Sequence, residues 1–389
     1  MNYIFFDTPA FRNSLKPFTF TRPVAAIRVG IVTIAEKWEF YSQNKGSFLT
    51  DASLQTLFPL HVAEDNLLVN GALCPTDELA TACAALATGE GFTQNGVLLA
   101  ARLSATQVSQ WQTGSFSPKT TEYAAAVTLI AHKWDIFAQN GAQIRQDFAR
   151  LTKDRTSQPI ADKHTIIYGA ENIFVEEGAN IKAAIINAEE GPVYIGRNAQ
   201  VQEGSLIKGP LALCEGAVIN MGGKMRGDNT IGPFCKVGGE ISNSVLFGFS
   251  NKGHDGFLGN SVLGEWCNLG ADTNNSNLKN NYANVKLYDY GTGNEEDTGL
   301  QFCGLMMGDH SKCGINTMFN TGTVVGVGAN IFGGGFPAKH IASFSWGGSD
   351  TSWEKYRFDK FLETEQRVMA RRKKELSPAY QALLKYLHD

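Results

Sequence analysis

Residues 195–237 read I-G-R-N-A-Q-V-Q-E-G-S-L-I-K-G-P-L-A-L-C-E-G-A-V-I-N-M-G-G-K-M-R-G-D-N-T-I-G-P-F-C-K-V, and a single spacing runs through them. Ile195, Val201, Ile207, Leu213, Ile219, Met225, Ile231 and Val237 stand six residues apart without a break. A second series, Met307, Cys313, Phe319, Val325 and Ile331, keeps the same step. Small residues such as Ala199, Ser205, Ala217 and Cys235 often follow four positions later. A helix repeats every ~3.6 residues and an amphipathic strand every two, so neither accounts for six. A stacked solenoid does. Each short strand gives one aliphatic to the interior and turns at a glycine or small polar residue.

Glycine usage sets the limits of this regime. Only 8 of the 41 glycines precede residue 160, 33 lie between Gly169 and Gly348, and none follows. Upstream, residues 1–120 read as an α/β domain. Tyr3-Ile4-Phe5-Phe6, Asn66 to Gly71 and Val97 to Ala101 are apolar strands, and helical spacing over Arg28 to Tyr41 alternates with them. Thr76-Asp77-Glu78 supplies a cap and an acidic first turn for an alanine-rich helix. This alternation predicts a mostly parallel sheet. From Thr120 to Thr152 the spacing of Ile130, Trp134, Phe137, Ile144 and Phe148 predicts a helical connector over 121–160. The solenoid then spans 161–350. Asn274 to Cys303 breaks its register as an extruded loop of the kind that often carries function. Residues 351–389 read as terminal helices that cap the open end, with Arg371-Arg372-Lys373-Lys374 as a solvated face.

Composition narrows the class. With 43% apolar and 19% charged residues the chain reads as a soluble globular protein, and a net charge of -4 makes no case for nucleic acid or an anionic membrane. Seven scattered cysteines without a C-x-x-C pair point to a reducing compartment. The N-terminus lacks a signal-peptide pattern, and no stretch approaches the ~20 apolar residues of a membrane span. The expectation is a cytoplasmic protein.

Chemistry concentrates in residues 253–273, G-H-D-G-F-L-G-N-S-V-L-G-E-W-C-N-L-G-A-D-T. A neutral imidazole titrates near 6.5 and suits proton removal at physiological pH, which makes His254 a candidate general base. Glycine-rich turns let backbone N–H groups approach an oxyanion, and Arg226 offers a planar fork for phosphate.

The hexapeptide series resembles the left-handed parallel β-helix acyltransferases, and the segment around His254 resembles the acetyltransferase half of the bifunctional GlmU family over Met221 to Ile331. That family joins a uridyltransferase domain to a glucosamine-1-phosphate acetyltransferase domain. The resemblance implies a catalytic role for His254, a sugar-site asparagine at Asn268, an asparagine orienting the acyl group at Asn277, and a phosphate grip at Arg226. Phe257 stands where the family has a phosphate-contacting tyrosine, and Lys286 matches a loop lysine of archaeal relatives. Acetyl-CoA is the implied cosubstrate, and trimers with shared acetyl sites the implied assembly.

The N-terminal domain resembles the family's nucleotidyltransferase half in F-R-N-S-L-K-P-F-T-F-T-R-P, residues 11–23. Where a phosphate-cradling glycine loop is expected the chain reads F-D-T-P-A-F, where a lysine is expected it has Val24, and Val69 to Pro75 lacks the metal-binding aspartate. Arg12, Lys16, Arg22 and Arg28 are the candidates for nucleotide phosphates. The expected fold is a Rossmann-like α/β nucleotidyltransferase-like domain followed by a left-handed parallel β-helix.

The leading functional expectation is acetylation of glucosamine 1-phosphate, with uridylyl transfer from UTP giving UDP-N-acetylglucosamine. Whether the N-terminal site works, and takes Mg²⁺, stays open on sequence, as does a nucleotidyltransferase for another sugar 1-phosphate. The rival of another class is a non-catalytic sugar-nucleotide sensor or scaffold. A zinc hydratase needs three convergent histidines, and the repeats offer His254 and His310 without an H-x-x-x-x-H pair.

Overall fold

The computed structural model describes residues 1–42 and 44–389 and divides into two compact units. The first comprises Met1–Leu15, Thr21–Ile27 and Val32–His132. Its six-stranded sheet runs in the order Ser47–Leu49, Asn2–Phe6, Asp65–Asn70, Val97–Ser104, Glu90–Gln94, Lys119–Glu122. The first three strands are parallel as expected. Val97–Ser104, however, runs antiparallel to both of its neighbours, so the sheet is mixed. The cause is local: Asn95 and Gly96 both have positive φ, 50° and 77°, and turn Glu90–Gln94 back on Val97–Ser104 in a two-residue hairpin. Ile4, Phe6, Leu68, Ala101, Leu103 and Val108 form a core cluster here. Thr76 caps the helix Asp77–Ala84 as expected, accepting from Leu79 N.

The helical reading of Thr120 to Thr152 holds only in its second part. Lys119–Glu122 completes the sheet beside Glu90–Gln94, and Thr128–Leu129 pairs with Leu73–Cys74. The helices are Asp135–Ala138 and Asn140–Thr152. Likewise the helix expected from Arg28 begins at Ile34, and Arg28–Ile31 belongs to the second unit with Lys16–Phe20 and Lys133–Asp389.

That second unit is the solenoid. Strand register pairs Ile195 with Leu213 and Leu213 with Ile231, Val201 with Ile219 and Ile219 with Val237, and Ile207 with Met225. Partners are eighteen residues apart, so three hexapeptides make one coil and each sixth residue enters a different sheet. All eight residues of the first series are 3% exposed or less, and burying such a side chain is worth roughly 1.5–3 kcal/mol. The spacing predicts a stacked solenoid, and the architecture is the left-handed parallel β-helix that the resemblance implies.

The step varies elsewhere, from twenty at Val175–Ile195 to sixteen at Val325–Ile341, and two departures border the His254 segment. Ile231 pairs with Leu246 fifteen residues on, because the corner between Val237 and Glu240 holds only Gly238 and Gly239 and the step from Ile241 to Leu246 is five. The corners after Val201, Ile219, Lys252 and Leu269 hold four residues each. Farther on, Leu263 pairs with Met307 forty-four residues away, since the chain leaves for the excursion that includes the hairpin Lys286–Tyr288/Glu295–Asp297. At its point of departure the Asn275 side chain does the work of a strand: Oδ1 accepts from Gly259 N (2.9 Å) and Nδ2 donates to Gly259 O (3.0 Å).

The short corner is tightly met. A Cβ on Gly239 (φ +66°) would lie 2.5 Å from Gly256 O and 2.9 Å from His254 O. Gly239→Ala is therefore expected to cost about 1–3 kcal/mol from overpacking and backbone strain, read as a lowered urea midpoint. A midpoint equal to wild type would mean the corner is looser than drawn.

The helices Phe358–Ala370 and Pro378–His388 cover part of the solenoid. Phe361, Met369, Leu376 and Leu384 join Trp266, Val327 and Phe344 in one apolar cluster. Beside it Glu365, 1% exposed, accepts from His310 Nδ1 (2.6 Å) and from Lys312 Nζ, while His310 Nε2 meets Tyr380 Oη at 3.0 Å. Among the described residues no helix is long and apolar enough to cross a membrane.

Candidate active site

His254 sits on the corner between the strands Asn251–Lys252 and Phe257–Gly259, with an exposed ring, and it lines two cavities. The larger, about 760 Å³, is bounded by the solenoid and by Thr364, Val368, Arg371 and Arg372 at the end of the first terminal helix. Its lining contains Lys236, Lys312, Arg371 and Arg372 and no carboxylate. One wall is aromatic: Phe249 and Trp266, with ring centroids 4.2 Å apart, belong to a stack that runs from Phe234 to His310 and so present ring edges. A cavity of this sign and shape suits an anion that carries an aromatic ring. The smaller, about 470 Å³, opens over the short corner and is lined by Gln202, Asn220, Gly238, Gly239, Asp255 and Asp272 as well as His254. It is rich in amide and carboxylate oxygen, the chemistry of a hydroxylated or ammonium-bearing molecule.

Of the residues picked out in the sequence, Asn268 joins His254. It lines the larger cavity, and its Oδ1 accepts from Asn251 Nδ2 at 3.4 Å. The other four lie outside both linings in the single chain. Arg226, exposed on the strand Lys224–Arg226, pairs with Glu240 at 2.7 Å. Asn277 Nδ2 donates to Asn260 Oδ1 at 2.8 Å. The backbone N–H of Phe257 donates to Asn274 Oδ1 at 2.8 Å. Lys286 lies exposed on the excursion hairpin, its carbonyl 3.4 Å from Lys339 Nζ.

Four contributors were not read from the sequence. Arg371 and Arg372 belong to the run taken as a solvated face, yet both line the larger cavity, and Arg372 Nη2 donates to Asn251 Oδ1 at 3.1 Å. Asn220 Nδ2 donates to Gly253 O at 2.7 Å. Lys252 occupies an inward solenoid position, paired with Val237, where its neighbours are aliphatic. A polar residue in the inward row is the signal that would have found it.

In the N-terminal unit the expected phosphate binders have definite structural contacts. Arg12 Nη1 lies 3.2 Å from Asp7 Oδ2, which also accepts from Thr50 Oγ1 at 2.6 Å, while Asp7 Oδ1 accepts from Val24 N at 3.0 Å. Burial pushes the Asp7 carboxyl up from its ordinary value, against the opposing pull of Thr50 and Arg12. Arg22 is buried. Lys16 and Arg28 belong to the solenoid unit, where Lys16 Nζ lies 5.2 Å over the Phe20 ring and Arg28 donates to the carbonyls of Phe247 and Ile31.

The glycine-loop position is instead the start of the short helix Pro9–Ser14, capped by Thr8. Mg²⁺ does not fit the donors present: in Val69 to Pro75 Asn70 is the polar side chain, and its amide is engaged by Leu98 O (2.9 Å) and Ala72 N (3.0 Å). Among the described residues no group of three or more His, Cys, Asp or Glu is placed to hold a metal ion.

Comparison with known proteins addresses both units. Residues 3–156 match the family model described as sugar nucleotidyl transferase. The bifunctional protein GlmU of Trichodesmium erythraeum (strain IMS101) is 27% identical over 119 residues, which span 30% of this chain and 21% of that protein. Among solved structures, the polySia-specific acetyltransferase NeuO aligns over 55% of this chain and 95% of its own, at 14% identity and a TM-score of 0.28. A UDP-N-acetylglucosamine acyltransferase from Campylobacter jejuni aligns over 58% and 94%, at 15% identity and a TM-score of 0.25. The chain is thus similar to GlmU proteins, with a segment matching sugar nucleotidyl transferases placed ahead of a left-handed parallel β-helix.

Proposed function

We propose that the solenoid is an acyltransferase acting in sugar-nucleotide metabolism, with acetyl-CoA as donor and the amine of a sugar 1-phosphate, glucosamine 1-phosphate first among them, as acceptor. One observation carries this reading: a histidine stands where a cationic, aromatic-walled cavity meets a small polar one. The larger cavity takes the nucleotide-bearing donor, with Lys236, Arg371 and Arg372 toward its phosphates and the edges of Phe249 and Trp266 beside its apolar parts. The smaller takes the acceptor. The neutral imidazole of His254 receives the proton from the attacking amine as nitrogen adds to the thioester carbonyl. The tetrahedral intermediate then collapses, the C–S bond breaks, and the CoA thiolate leaves and is protonated. Arg226, Phe257 and Asn277 enter the reading through a second copy of the chain in a trimer that shares its sites. A monomeric mass by light scattering would remove that arrangement.

The N-terminal unit is proposed as a nucleotide-binding unit, with uridylyl transfer as its candidate reaction. Its Asp7, Asn70 and Arg12 are all engaged internally, which favours binding over turnover there.

The test is thiol release from acetyl-CoA with glucosamine 1-phosphate, followed by pyrophosphate release once UTP and Mg²⁺ are added. Thiol alone is the expected outcome. Thiol and pyrophosphate together would make the chain bifunctional. Silence in both, with tight sugar-nucleotide binding, would replace the acyltransferase by a sensor.

A further inference from the structure

The corner that carries His254 is held from inside. Three consecutive carbonyls, those of Gly253, His254 and Asp255, accept from side chains: Gly253 O from Asn220 Nδ2, and His254 O and Asp255 O both from Lys252 Nζ at 2.7 Å. The coil beneath has two corner residues where its neighbours have four, and so two fewer N–H groups to offer. Of the pair it keeps, Gly238 gives its N–H to Lys252 O at 2.7 Å. An ammonium with three donors and no acceptor suits two adjacent carbonyls.

Placing it there has a cost. Lys252 is fully buried in an inward position between Val237 and the next coil, where an aliphatic would pack without penalty. Burial lowers its pKa to about 8, against the raising influence of Asp255 and Asp272.

We propose that Lys252 is a positioning residue for His254, an internal tether whose two hydrogen bonds fix the corner from which the imidazole faces both cavities. The tether acts through the backbone of the histidine itself. It sets where the ring starts. This inference rests on the acyltransferase reading for its kinetic part, so its test has a second readout that needs no activity.

The experiment uses the full chain with Lys252→Met, which keeps the length and apolar stem and removes the donors. Carbethoxylation of His254 by diethylpyrocarbonate is followed by peptide mass spectrometry, with the exposed His164 as internal reference. The rate at His254 relative to His164 is expected to change by about threefold or more. Acetyl transfer is expected to lose about 10–100-fold in kcat, the order of effect of misplacing a reacting group by ~1 Å, with KM for acetyl-CoA changed by less than about twofold. Lys252→Arg, which retains a cationic donor, is expected to recover part of the kcat.

A folded Met variant with wild-type carbethoxylation and wild-type kcat would overturn the proposal. So would a loss confined to thermal stability. If Lys252→Met does not fold, Lys252→Gln serves with the same criteria. If wild type shows no acyl transfer at all, the acyltransferase reading falls while the carbethoxylation ratio still decides the tether.

Discussion

His254→Ala is expected to lower acetyl transfer by about 10²–10⁴-fold, the contribution of a positioned general base. The ring is exposed and fills no core space, so unfolding stability should stay within about 0.5 kcal/mol of wild type. Those two outcomes together separate chemistry from folding. The measurement is initial-rate thiol release under saturating donor, with the urea midpoint taken on the same preparation. Binding of CoA itself should change little, because the proposed phosphate contacts lie on Lys236, Arg371 and Arg372. An unchanged rate would take His254 out of the mechanism and send the search to the other polar groups lining the smaller cavity.

Glu365→Ala is expected to destabilise the chain by about 3–5 kcal/mol, the usual loss when one partner of a buried ion pair is removed and the other is stranded. Two groups are stranded here, His310 Nδ1 and Lys312 Nζ, and Glu365 is 1% exposed. The effect has a pH signature. Burial alone would raise the Glu365 pKa, but the charges and hydrogen bonds of His310 and Lys312 outweigh it and hold the carboxyl below its ordinary 4.5. A depressed carboxylate pKa contributes stability that is fully present above the unfolded value and is lost as pH falls through the folded one. The difference in Tm between wild type and Glu365→Gln should therefore be large at pH 6–7 and shrink steadily below about pH 4.5. A gap that does not depend on pH would show that packing rather than charge holds the helix.

The solenoid was legible because its signal is repetition. Each inward residue reports on the same environment, and Ile195 through Val237 agree eight times over. The mixed sheet was legible as well, in Asn95-Gly96, but alternation of strand and helix pulled the reading toward parallel pairing. What a repeat cannot reveal is where it skips. Counting by six from Val237 gives Asn243, Phe249 and Asp255, so the series fails there without showing which corner is short. Lys252 then looks like ordinary surface charge, although register with Val237 sends it inward.

The arginines fail for another reason. Which face of a terminal helix meets the solenoid is fixed by Phe361 and Met369 packing on Trp266 and Phe344, contacts between residues far apart in the chain. The site residues given by resemblance are spread over two solenoid sheets, a corner and the excursion of a single chain, and His254 and Asn268 are the two that line a common cavity in it.

The excursion between Asn275 and Met307 enters the stack through an imitation. A single carboxamide makes with Gly259 the two bonds that a strand backbone would make. Once the side chain supplies the rung, the main chain on its far side is released from the periodicity of the stack. The excursion touches the stack again at its hairpin, where Glu295 pairs with Lys339 at 2.8 Å and Tyr288 stacks on His340, so it is tied to the scaffold at a second point. Between those two anchors the solenoid has a port at which chain can be lengthened or shortened while the coils stay in phase.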